Sequence, residues 1–154
     1  MQQPELDEDL VQRLATIAAR LDGGDEISDA SLLDEFNQLA GTDIPFLEFQ
    51  GIYGAEEHID CVRRVLTDRA TEASPDLRRE GLIEMFAKVL DDPCDDPYLQ
   101  YVFTTIKKTF GDMQISDLVF WPGEYFGDGN NQRQLTAELM ADAVLERFAQ
   151  RQSQ

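Results

Sequence analysis

The chain has 154 residues, 42% of them hydrophobic, with 31 acidic against 13 basic side chains and a formal net charge of −18. The apolar share is enough for a packed core and too high for an acidic disordered tail, and the length fits one domain or two small ones. The negative excess argues against binding nucleic acid through phosphates and against an anionic membrane surface; it favours a basic protein partner steered in by the field.

The opening residues Met1-Gln2-Gln3-Pro4-Glu5 show no charged n-region and no apolar h-region, so no signal peptide is expected. No apolar run approaches the roughly 20 residues that span a bilayer. Cys61 and Cys94 lie far apart and form no C-x-x-C, which suits reduced, buried thiols. From these features the expected location is the cytoplasm.

Helical periodicity dominates from the start. Leu10, Val11, Leu14, Ile17, Ala18 and Leu21 form one apolar stripe, with Glu5, Asp7, Glu8 and Asp9 at the positive end of the helix dipole and Gly23-Gly24 after it. Ser28 is the expected N-cap of a second helix carrying Leu32, Leu33, Phe36 and Leu39, stopped by Gly41. An aromatic stretch with Pro45, Phe46 and Phe49 runs from Thr42 to Gly54, and a third helix follows with Ile59, Val62, Val65 and Leu66 inward. Ser74-Pro75 is expected to open a fourth, with Leu82, Ile83, Phe86, Val89 and Leu90 on one face, closed by Asp91-Asp92-Pro93. Asp95-Asp96-Pro97 opens a fifth, carrying Leu99, Val102, Phe103, Ile106 and Phe110. After Gly111 comes a second aromatic segment, Ile115 to Gly127, and then a final helix with Leu139, Ala143, Val144 and Phe148 inward.

The second half repeats the order of the first. Leu10, Val11, Leu14, Ile17 and Ala18 match Leu82, Ile83, Phe86, Val89 and Leu90 at an offset of 72; Thr42-Asp43-Ile44 matches Ser116-Asp117-Leu118 at 74; Ala55-Glu56 matches Ala137-Glu138 at 82. The predicted fold is therefore all-α: two tandem four-helix-bundle-like units, 1–71 and 72–154, with six long helices plus short aromatic segments. Residues 1–71 carry 16 acidic and 5 basic side chains, net −11, and residues 72–154 carry 15 and 8, net −7. Neither unit is a basic module.

His58 is the single histidine, and no second His or recognised Cys spacing completes a zinc site. Asp91-Asp92-Pro93-Cys94-Asp95-Asp96 and Asp128-Gly129-Asn130 lack the spacing of a calcium loop and read as capping and turn chemistry. There is no Gly-rich phosphate loop, and no carboxylate pair stands out for acid–base work. No cofactor, no metal and no catalytic residue is expected; the chain reads as a non-enzyme.

One run remains. Asp117-Leu118-Val119-Phe120-Trp121-Pro122 sets two large aromatics beside a carboxylate, the composition of a binding hot spot. The same rings could instead plug the bundle. Both readings hold together if Leu118 and Val119 point inward and the Trp121 ring lies partly out.

Ser116-Asp117-Leu118-Val119-Phe120-Trp121-Pro122, after two amphipathic helices and before one, resembles the signature of the colicin and pyocin immunity proteins, a Ser/Thr-Asp-Leu-Ile-Tyr-Tyr-Pro run in a short third helix. The resemblance covers roughly residues 74–150, and 5–70 more faintly. It implies a small acidic four-helix protein that neutralises a basic bacteriocin-type or contact-delivered toxin, a nuclease domain, by tight complex formation. Carried over singly, Ser116, Asp117, Phe120 and Trp121 supply shared binding, and Asp96, Leu99, Gln100 and Phe103 on helix two set partner choice. Phe120 and Trp121 lack the family's tyrosine hydroxyls, Lys107-Lys108 adds positive charge, and Pro45 interrupts the first copy's run. The charge alone also suits a non-inhibitory acidic interaction module or DNA-mimic regulator.

Overall fold

The computed structural model describes residues 3–52 and 57–153, which leaves the Tyr53-Gly54 end of the first aromatic stretch and the Ala55-Glu56 part of the repeat match outside the described residues. The described residues are helices and loops without strands. They divide into two compact units, Met1–Ala70 and Thr71–Gln154.

In the first unit, α1 (Glu8–Leu21), α2 (Ala30–Ala40) and α3 (His58–Ala70) are the long helices, with a 3-10 turn at Phe46–Phe49. The Asp7 carboxylate caps α1 by accepting from the Asp9 and Leu10 amides. Val11, Leu14, Ile17, Ala18 and Leu21 are all buried, so the predicted stripe is the face that packs on both α2 and α3. The α2 start differs from the expectation. Ser28 lies in a turn, its amide donating to the Asp25 carboxylate at 2.8 Å, and the helix begins one residue after Asp29. Gly41 ends α2 at φ +70°, a left-handed conformation that glycine adopts at no steric cost.

In the second unit the long helices are α4 (Arg79–Asp91), α5 (Asp96–Phe110) and α8 (Ala137–Gln152), with two short ones between, α6 (Ile115–Phe120) and α7 (Pro122–Phe126). The first helix again packs on the second and the last. The fold class is all-α as expected, with six long helices among the described residues and short aromatic segments before each unit's last helix.

Four local expectations are corrected. α4 starts at Arg79 rather than at Ser74-Pro75, because residues 74–77 close a turn (Leu77 amide to Ser74 carbonyl, 2.9 Å) that sends Leu77 into the core. Leu90 is 47% exposed, since the buried stripe of α4 is Leu82, Met85, Phe86 and Val89, and Leu90 falls one position past it. Leu139 is 51% exposed for the same reason: Ala137, Met140, Ala141 and Val144 make the α8 stripe, and Leu139 lies off it. Cys61 is buried but Cys94, in the turn between α4 and α5, is exposed. That turn is capping chemistry: Asp92 is the C-cap of α4, and the Asp95 carboxylate accepts from the Tyr98 amide to start α5.

Candidate functional site

α6 is only six residues long, so tertiary packing must hold it. Ile115 and Leu118 are fully buried and Val119 packs beside them, which turns the opposite side outward. On that outer side Ser116 and Asp117 are half-buried, while Phe120 is 47% and Trp121 57% exposed. The inward and outward readings of the aromatic run are thus both realised, by different residues of it. Trp121 precedes Pro122, and proline bars its neighbour from the helical region; Trp121 sits at φ −138°, ψ 62° and ends α6. Its amide still donates to the Asp117 carbonyl at 2.7 Å, so the elbow carries the ring one full turn beyond Asp117.

The elbow is fixed from behind. Pro122 opens α7 and is buried. Gly123 is needed there because a Cβ would come within 2.5 Å of the backbone at Gly129 and Asn130, and its amide donates to the Asn131 side-chain oxygen at 2.8 Å. Tyr125 donates its hydroxyl to Asp112 at 2.5 Å; the carboxyl group is 1% exposed and also accepts from the Gln114 amide at 3.1 Å. Burial first, and then this hydrogen bond to a carboxylate, pushes the Tyr125 phenol well above its usual range. Arg147 from α8 completes the group: it lies 3.6 Å from Asp112, donates to Gln114 and to the Tyr125 carbonyl, and stacks 3.7 Å over the Tyr125 ring. α7 and α8 are therefore tied to the corner from which α6 springs. No sequence pattern flagged Asp112 or Tyr125, because hydrophobic periodicity says nothing about a buried polar pair in a loop and a five-residue helix.

The α5 residues divide. Phe103 is buried, and its ring meets Phe120 edge to face at 6.2 Å, which joins α5 to the site. Gln100, one turn earlier, is half-buried and donates to the Thr104 hydroxyl at 3.1 Å. Asp96 is exposed but lies two turns, about 10 Å, from Phe103 along the helix. Leu99 is a correction: it is buried among the core side chains, because it shares the inward stripe with Val102 and Ile106, and offers a partner almost no surface. Phe103 likewise supports the site from within.

The first unit handles its aromatic segment differently. Phe49 is buried and packs edge to face on Phe36 at 4.9 Å, so its main ring is a plug. His58 reaches Asp22 at 2.9 Å, and the Gln50 side chain bonds both the Gly23 amide and the Leu21 carbonyl; these contacts tie the loop after α1 to the 3-10 turn and to α3. Among the described residues no group of three or more His, Cys, Asp or Glu side chains could hold a metal ion, and no helix is long and apolar enough to cross a membrane. No family model, curated protein or solved structure matches the chain.

Proposed function

We propose that this protein is an immunity-type inhibitor: a cytoplasmic, acidic, non-enzymatic protein that neutralises a basic toxin, a nuclease domain of bacteriocin type, by forming a tight complex. The observation that carries the reading is the exposure of Phe120 and Trp121 beside a half-buried carboxylate on a short helix held rigidly from behind. A large exposed aromatic pair costs free energy in water and gains it in an interface, where Trp and Tyr dominate hot spots. Preorganisation by the Asp112–Tyr125–Arg147 group lowers the ordering cost of binding. The net charge of −18 adds long-range attraction to a basic toxin and speeds encounter.

Co-expression with a basic nuclease toxin of bacteriocin type, taken from an adjacent reading frame where one encodes it, tests this. The full chain should restore growth and suppress the toxin's nuclease activity, and Trp121→Ala should lose protection while remaining folded. A folded chain that leaves the toxin fully active contradicts the reading. The charge also supports a second one, a DNA-mimic regulator that occupies a nucleic-acid-binding protein; duplex DNA would then displace the partner competitively.

A further inference from the structure

Twice in the second unit an arginine is held between an aromatic face and a carboxylate. Arg147 lies 3.7 Å from the Tyr125 ring centre and 3.6 Å from Asp112. Arg133 lies 4.4 Å over the Phe126 ring and pairs with Asp128. A third set of the same groups stands at the end of α6, where Asp117 precedes Phe120 by three residues, one helical turn, and Trp121 follows at the elbow with its amide on the Asp117 carbonyl. This third set lacks only the cation. Among the described residues no ion pair or hydrogen bond reaches the Asp117 carboxylate, and no cation lies over the Phe120 or Trp121 ring.

We propose that Asp117, Phe120 and Trp121 form a receptor for one arginine side chain of the protein partner, an inference that rests on the function proposed above. Charge complementarity selects a cation, in a chain of net charge −18. Arginine fits better than lysine: its guanidinium is planar, weakly hydrated, stacks on aromatic faces and meets a carboxylate through two parallel hydrogen bonds. Half-burial of Asp117 lowers the local dielectric and strengthens such a pair. The Phe103 ring, edge to face with Phe120, holds one wall of the receptor in place before binding.

Trp121 is the sole tryptophan, so its emission reports the site directly. The probe is a tryptophan-free pentapeptide with one central arginine, titrated into the full chain at physiological salt beside its lysine and citrulline counterparts. The arginine peptide should shift Trp121 emission saturably, and the citrulline peptide should bind about tenfold more weakly or worse. Asp117→Asn, a half-exposed substitution that leaves the core untouched, should remove the preference, whereas Asp128→Asn should retain it. Equal affinity for arginine and citrulline, no saturable shift, or an unchanged preference in Asp117→Asn would overturn the receptor. Equal binding of the lysine peptide would overturn the assignment to arginine. A chain that binds the arginine peptide through Asp117 but fails to neutralise a toxin keeps this inference and discards the immunity reading; neutralisation without arginine preference does the reverse.

Discussion

Asp112→Ala removes the carboxylate that ties α7 and α8 to the corner before α6. The cost can be worked from its partners. A buried hydrogen bond to a charged acceptor contributes about 1.5–3 kcal/mol, and the Tyr125 hydroxyl, 2.5 Å from Asp112, is as buried as its acceptor. Arg147 at 3.6 Å is 27% exposed on its side chain, so solvent screens the ion pair and it adds less than about 1 kcal/mol. The sum is a loss of about 1.5–4 kcal/mol. Tyr125→Phe leaves Asp112 its bond from the Gln114 amide and should cost about 1–2 kcal/mol. Because the two residues share one bond, the double variant should be more stable than additivity predicts by about 1 kcal/mol or more. Urea denaturation followed by Trp121 fluorescence reads the second unit specifically. An Asp112→Ala loss below about 1 kcal/mol, or strict additivity, would refute the view that this bond holds the corner.

Gly123→Ala should destabilise the second unit by about 1–3 kcal/mol, since the new methyl would meet backbone atoms at 2.5 Å; a thermal melt matching the parent's would show that the 128–131 loop yields freely. The raised phenol of Tyr125 sets a pH dependence: the unfolded chain ionises near pH 10 while the folded chain keeps the proton, so its contribution is complete below about pH 10 and is lost as pH rises toward the folded value. Melts between about pH 8 and about pH 11 should fall less steeply for Tyr125→Phe than for the parent, and equal slopes would contradict the assignment.

Much of this architecture is legible in the chain because apolar side chains recur at helical spacing and the ends carry their own chemistry. Asp95 with Pro97 marks the α5 start, and Gly41 and Gly111 occupy left-handed positions that end α2 and α5. Periodicity is weaker at deciding which of two adjacent apolar residues faces inward. Leu90 and Leu139 sit next to the true stripes, and a 100° step per residue is enough to put them in water. The α6 residues were readable as a group, yet their directions were set by tertiary packing: Leu118 inward, Trp121 outward at the bend that Pro122 imposes. Leu99 falls on the expected partner face only because the resemblance carries that face over by position, whereas the inward stripe of α5 is fixed by Val102 and Ile106. The Asp112–Tyr125 bond lay beyond reach, as two polar residues thirteen apart meet only once the chain has turned twice.

The proposal is that the outer face of α6 docks a basic toxin. Dissociation rates of the complex, measured for the parent and for Trp121→Ala with circular dichroism confirming an intact fold, test it most directly. Loss of a hot-spot residue worth about 2 kcal/mol should speed dissociation about thirtyfold with little change in the association rate. A folded Trp121→Ala chain that releases the toxin as slowly as the parent would contradict the account.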